Sequence, residues 1–200
     1  QTIQEENTRI YQRGQEQPEY NGMGTTIVAA ALSKDQFTIA HVGDSRAYLI
    51  REDRIIQLTE DHSLVNDLIK IGELTPEDAK KHPRKNVITR ALQPHLEHRY
   101  KADIVTLKDI RPNDFFYMCS DGMLEEASNA NLCFMLNQQK PEEELIKMLV
   151  LNSQHNRDNH SAHLIHILDV ENNNRSKRYT WKIKHFLKET YYVVKNTLMK

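Results

Sequence analysis

Apolar residues recur along the chain with two different periods, and the switches between them mark its elements. Residues 1–16 are mostly polar, with Ile3, Ile10 and Tyr11 on one face of a predicted helix. Pro18 and the Asn21-Gly22 pair break that pattern. Residues 25–32 are then small and β-branched, residues 36–42 alternate, and residues 47–51 are apolar. A further short run covers residues 54–58. Lys34-Asp35, Gly43-Asp44-Ser45 and Glu52-Asp53 separate these runs, so the spacing predicts an antiparallel meander.

The helical period returns after His62, where Leu64, Leu68 and Ile71 share a face, Ser63 is the expected cap and Gly72 the expected stop. Thr75-Pro76-Glu77-Asp78 combines a cap, a first-turn proline and first-turn acids, and predicts a short helix. The basic segment HPRKNVITRAL leads to a short strand, and residues 100–107 and 114–120 read as two more around the turn Arg111-Pro112-Asn113. Residues 128–137 and 141–152 read as helices, the second opened by Pro141 and three glutamates. Residues 160–170 form a last predicted strand, on which His160, His163 and His166 are expected to face outward. Two sets of strands around a helical insertion predict a layered α+β sandwich over residues 1–171.

NNNRSK reads as a linker, with residues 172–200 as a basic tail. Ile183, Leu187, Tyr191, Val194 and Leu198 fall on one face of a predicted amphipathic helix there, suited to weak contact with a membrane surface. Residues 175–200 carry eight Lys/Arg against Glu189, a charge of +7, so the net −1 of the chain leaves −8 on residues 1–174. An acidic body excludes a general nucleic-acid binder. Cys119 and Cys133 lie in apolar runs and suit small core residues in a reducing cytoplasm. No apolar run is long enough to span a bilayer.

Candidate chemistry lies at turns. Asp44 follows Gly43, Asp121 precedes Gly122, and Asp158 lies in HNRDNH before the last strand. Each sits where a strand meets a turn, from which a short carboxylate can reach past a sheet end. Hard divalent cations take such oxygens, and a neighbouring glycine lets the backbone approach. Aspartate and glycine are also the commonest turn residues, so none of these positions identifies a site alone.

Taken in order, GMGTT, VGDSRAYLI, LTEDHSLV, HPRKNVITRAL, CSDGMLEE and RDN resemble the bacterial metal-dependent Ser/Thr protein phosphatases of type 2C, the PPM family. The resemblance implies a four-layer α-β-β-α sandwich of two antiparallel sheets flanked by helices. It also implies hydrolysis of phosphoserine and phosphothreonine in proteins by water activated between two Mn or Mg ions. Asp121 and Asp158 match the family's metal aspartates, while Asp44 and Glu125 fall where some members bind a third, weaker ion. Residues 62–92 match the family's flap, and Lys80, Lys81, Arg84 and Lys85 make it attractive to acidic phosphopeptides. Phosphoproteins, a Ser/Thr kinase or its targets are the implied partners.

The family's phosphate-binding arginine and metal-binding Asp-Gly element are expected upstream of Gln1, together with its first strands. The 200 residues alone are therefore expected to be inactive. The alternative to an enzyme is a catalytically silent phosphatase-like domain that acts as a protein-binding or regulatory module. Arg46, next to Asp44, is read as either a balance for nearby carboxylates or a solvated turn residue.

Overall fold

The computed structural model describes residues 2–20, 22–33, 36–94, 101–173, 176–187 and 190–196. These residues form an α+β arrangement with two antiparallel sheets and helices, the fold class that the hydrophobic pattern predicts. In chain order the elements are α1 (Thr2–Glu16), β1 (Ile27–Leu32), β2 (Phe37–Val42), β3 (Arg46–Arg51), β4 (Arg54–Gln57), α2 (Leu64–Lys70) and α3 (Pro76–Ala79). They continue as β5 (Asp103–Leu107), β6 (Phe115–Cys119), α4 (Asn129–Leu136), α5 (Glu142–Ser153), β7 (Ser161–Asn173), β8 (Ser176–Leu187) and β9 (Thr190–Asn196). One sheet has the order β1-β2-β5 and the other β4-β3-β6-β7-β8-β9. Two compact units divide the chain, one of residues 1–29, 40–45 and 60–104, the other of residues 30–39, 46–59 and 105–200.

In the second unit, β3, β6 and β7 are apolar on both faces, and the register explains why. Tyr48 pairs with Tyr117, which pairs with Leu164, on one face; Leu49, Phe116 and Ile165 line the other. The first face packs into a buried cluster with Leu132, Met135 and Leu136 of α4 and Leu145, Ile146 and Leu149 of α5. On the second face the Phe116 ring stacks on Phe37 of β2, with centroids 3.8 Å apart. Each such side chain contributes about 1.5–3 kcal/mol when fully removed from water. Both helices start as their sequences predict: Ser128 caps α4 through the Asn131 N–H, and Pro141 with three glutamates precedes the body of α5.

Arg51 closes one end of this unit. Its Nε and Nη2 donate to the two oxygens of Asp114 at 2.7 and 2.8 Å, and its Nη1 donates to Asp109 at 3.0 Å. Asp114 is buried and also accepts from the Arg111 N–H at 2.8 Å. The Asp114 bond, the largest influence, holds the guanidinium even more firmly protonated than usual.

Three expectations change. First, β2 and β3 belong to different sheets, so Gly43-Asp44-Ser45 is a crossing between sheets rather than a hairpin turn. Second, two of the three histidines expected to face outward, His160 and His166, do not. His160 is buried, and His166 stacks on Phe115 at 4.1 Å and bonds Glu142 of α5 at 2.9 Å, pinning the start of that helix. Third, residues 176–187 and 190–196 are strands where a helix is predicted. Of the predicted linker, Asn172 pairs with Lys177 and Asn173 with Ser176 at the end of a β7–β8 ladder, while residues 174 and 175 lie outside the described residues. The alternation Tyr179, Trp181, Ile183 with aromatic and β-branched residues carries a two-residue period that competes with the helical one, and pairing with β7 decides between them. No helix among the described residues is long and apolar enough to cross a membrane.

In the first unit, Asn7 of α1 accepts from the Gln93 N–H at 3.0 Å. Ser63 caps α2, and Thr75 caps α3 by accepting from the Asp78 N–H at 3.2 Å. Gly72 ends α2 with φ +77°, the left-handed conformation its predicted stopping role requires. Backbone bridges of Ser63 with Ile88 and of Thr25 with Leu92 close the base of the segment 62–92.

Candidate metal centre

The register of β6 against β7 builds the candidate centre. Cys119 lies opposite Ala162, and beyond them the Ser120 N–H donates to the Ser161 carbonyl at 3.0 Å. The turn leaving β6 and the loop entering β7 therefore meet, although Asp121 and Asp158 are far apart in the chain. Asp121 opens a short 3₁₀ turn, Asp121–Leu124, and its Oδ1 accepts from the Gly122 N–H at 2.9 Å. An added Cβ at Gly122 would strike the Asn159 carbonyl oxygen and lie 3.3 Å from the Asp158 Cβ, so only glycine fits between the two segments. Asn156, buried, donates from Nδ2 to the Gly122 carbonyl at 2.6 Å and fastens them from the other side.

Glu125 completes the group in an indirect way. Its carboxylate accepts from the Arg157 N–H at 2.8 Å and from the Asp158 N–H at 3.2 Å. It thereby holds the backbone that carries Asp158, a role that sequence spacing does not suggest. Asp158 bonds through Oδ1 to the Asn159 N–H at 2.7 Å. Asp121, Glu125 and Asp158 are all exposed at the surface, and none has an ion-pair partner among the described residues. The Asp121 carboxyl is held above its ordinary range, first by partial desolvation and then by the charges of Asp158 and Glu125, against the Gly122 N–H that favours its ionised form. Carboxylate charge is thus concentrated here with no ion-pair partner among the described residues to offset it.

Asp44 belongs to the first unit, in the crossing between β2 and β3. Gly43 has φ +108°, and a Cβ there would collide with Thr26, whose Oγ1 lies 2.8 Å from Ser45 Oγ. Arg46 belongs to the second unit, where its Nη1 donates to Tyr48 Oη at 3.1 Å.

A second titratable group occupies the first unit. His41 and His62 are buried and stacked with centroids 4.8 Å apart, and their donor atoms and those of Asp103 lie within 4.8 Å of one another. The Gly43 N–H donates to His62 Nδ1 at 3.0 Å, which leaves the ring proton on Nε2, 3.1 Å from Asp103 Oδ2. A cation at Nε2 would have to displace that proton, and its transfer to Nδ1 would break the bond from Gly43, so the trio is a hydrogen-bonded brace rather than a ready metal cage. Asp103 experiences desolvation most strongly, yet its bond to His62 and the charge of Arg90 hold its carboxyl below the ordinary range. Burial, then the neighbouring His62, depresses the His41 imidazole. Asp103 was not legible as a functional residue, since it begins a strand with no motif around it.

Residues 1–68 match the family model described as protein phosphatase 2C. The serine/threonine phosphatase stp of Listeria innocua is 44% identical over 131 residues, covering 66% of this chain and 51% of that protein. Over the matched stretches the chain is similar to the protein phosphatase 2C family. It spans about half the length of the curated relatives it matches. Among solved structures, the S. agalactiae serine/threonine phosphatase is 37% identical with a TM-score of 0.74, covering 81% of this chain and 66% of that one. The catalytic domain of the serine/threonine protein phosphatase PstP, solved in complex with two manganese ions, is 29% identical with a TM-score of 0.69 and covers 82% and 67% respectively. These 2C-type phosphatases share the α+β fold with two antiparallel sheets described above.

Proposed function

We propose that the full-length protein hydrolyses phosphoserine and phosphothreonine in proteins, with Mn2+ or Mg2+ held where the turn leaving β6 meets the loop entering β7. The observation that carries this reading is the close approach of the two segments that bear Asp121 and Asp158, whose carboxylates have no ion-pair partner among the described residues, in a chain whose first 68 residues match the 2C family model. The donor set fits such ions, since it is all carboxylate oxygen, which hard divalent cations prefer, and the side-chain-free Gly122 lets the two aspartate-bearing segments approach each other closely. When bound, the ions would activate water and offset charge on the phosphoryl oxygens. Asp121 and Asp158 would hold the pair. Glu125 orients the Asp158 backbone and is itself a candidate to hold a weaker further ion; Asp44, in the first unit, is a separate candidate. The nucleophile is then water and not a side chain. Ser63 is buried as a helix cap, which leaves it no part in attack.

Substrate attraction has a physical basis in the flap. Lys80, Lys81, Arg84 and Lys85 are exposed and lack ion-pair partners among the described residues. A ladder of turns presents them, with the Lys81 N–H on Asp78 O, Lys85 N–H on His82 O and Val87 N–H on Arg84 O. Phosphoproteins with acidic residues beside the phosphate, the products of a Ser/Thr kinase, are the substrates this charge favours. The test is phosphate release from matched phosphothreonine peptides by the full-length protein. Release should require Mn2+ or Mg2+ and stop with a chelator. The acidic peptide should turn over several-fold faster at low salt, and that advantage should vanish near about 0.5 M salt. No release in saturating Mn2+ would refute the proposal.

A further inference from the structure

His62 makes more cross-chain bonds than its place at the start of the flap requires. Its backbone N–H donates to the Gly43 carbonyl at 3.0 Å while its ring Nδ1 accepts from the Gly43 N–H at 3.0 Å, so the two residues clasp each other twice. Its carbonyl accepts from the Thr89 N–H at 2.8 Å, at the far end of the flap. Its Nε2 reaches Asp103 Oδ2 at 3.1 Å, and Arg90 donates to the other oxygen, Oδ1, at 3.3 Å. The side chain is 3% exposed and lies against the His41 ring. One buried imidazole therefore connects the Gly43-Asp44 crossing, both ends of the flap and the start of β5, all within the first unit.

Chemistry makes this connection directional. A neutral imidazole has one acceptor nitrogen and one donor, and here the backbone amide takes the acceptor while the carboxylate takes the donor. Asp103 cannot donate when ionised, and the Gly43 amide cannot accept, so only one tautomer satisfies both. Gly43 cannot gain a side chain because Thr26 fills that space, and Thr26 also bonds Ser45. The crossing that carries Asp44 is thus held on one side by Thr26 and on the other by His62.

We propose that His62 is a positioning residue: fixed as its Nε2–H tautomer, it locks the backbone of the Asp44 crossing to the base of the flap. For its effect on the reaction this rests on the phosphatase reading and on Asp44 as an ion ligand; the lock itself does not. In a system that binds a further ion, the crossing's fixed backbone would lower the ion concentration needed for turnover. Opening of the flap would work against the same clasp.

Two substitutions separate the ring's two bonds. His62→Asn keeps an oxygen near the Nδ1 position to accept from Gly43 and loses the reach to Asp103. His62→Gln places its amide near Nε2 and removes the acceptor for Gly43. In the full-length protein, two-bond nitrogen–proton correlation of the imidazoles should show His62 with a bare Nδ1 and a protonated Nε2. Amide exchange at Gly43 should be accelerated about tenfold or more by His62→Gln and far less by His62→Asn, the loss expected for one buried hydrogen bond. With an aryl phosphate as substrate, His62→Gln should raise the Mn2+ concentration for half-maximal turnover by a similar factor, and His62→Asn should restore most of it. A protonated Nδ1, or equal Gly43 exchange in both variants, overturns the proposal. Normal Gly43 effects with unaltered Mn2+ dependence overturn its catalytic half. Wild-type protein inert in Mn2+ would instead be a failure of the phosphatase reading, since the tautomer and the exchange are read without turnover.

Discussion

Asp158→Asn should reduce Mn2+-dependent phosphate release from a phosphothreonine peptide by about 100-fold or more, and Asp121→Asn should do the same. Residues that merely support a metal ligand typically cost about 10–100-fold when changed, so direct ligands set the upper end of that range or exceed it. Both substitutions keep the size and hydrogen-bonding reach of the side chain while removing one charge. The fold should survive, because the Gly122 N–H and Asn159 N–H can bond an amide oxygen as they bond the carboxylates now. Asp121→Asn has a second signature. The Asp121 carboxyl is raised in the folded, metal-free chain, so the folded state binds the proton more tightly than the unfolded one. Its ionised form thus opposes folding once pH rises past the unfolded value, and the opposition is relieved as pH falls through the raised value or when a cation binds. The asparagine variant should accordingly be no less stable without metal, while losing the stabilisation that Mn2+ gives the wild type. Stability lost in the metal-free variant, or turnover within threefold of wild type, would contradict the assignment; the threefold margin is about the context-dependent scatter of surface changes.

The largest stability effect should come from Asp114→Ala, at about 3–5 kcal/mol, read from urea unfolding. Asp114 is buried and receives two bonds from the Arg51 guanidinium and one from the Arg111 N–H. Removing it leaves a largely enclosed Arg51 with only the exposed Asp109 as an ion-pair partner among the described residues. Losing one partner of a buried pair costs far more than the pair itself contributes, because the remaining charge stays out of water. Asp109→Ala should therefore cost little, as exposed ion pairs generally do. Comparable losses in the two variants would show that the burial of Asp114 is not the deciding factor.

Local chemistry was legible in the sequence wherever a partner lies within a few residues. Ser63, Thr75 and Ser128 cap the helices that their spacing predicts, and Gly72 ends α2 in the conformation a terminal glycine is expected to take. The buried strands showed themselves as runs such as AYLI and FFYMC. What the pattern did not carry is which strands pair. Gly43-Asp44-Ser45 has the composition of a hairpin turn, yet β2 and β3 enter different sheets, a choice made by long-range pairing of β3 with β6. The tail failed for a related reason. Residues 179–194 satisfy both a helical and an alternating pattern, and the ladder with β7 settles it.

The candidate centre was legible residue by residue but not in its internal roles. Asp121 and Asp158 could be named because they sit beside Gly122 and Asn159 in recognisable blocks. That Glu125 grips the Arg157–Asp158 backbone could not be read, since a glutamate four residues after an aspartate has the same appearance as a ligand and as a loop clamp. His62 and Asp103 are 41 residues apart, and nothing local at either position announces the other.

Mn2+ uptake by the full-length protein, followed by electron paramagnetic resonance of the free ion, tests the central claim most directly. Wild-type protein should remove Mn2+ from solution, and both Asp121→Asn and Asp158→Asn should lose most of that binding while remaining folded. Equal uptake by the wild type and the two folded variants would show that these carboxylates hold no ion, and the proposed phosphatase centre would have to lie elsewhere.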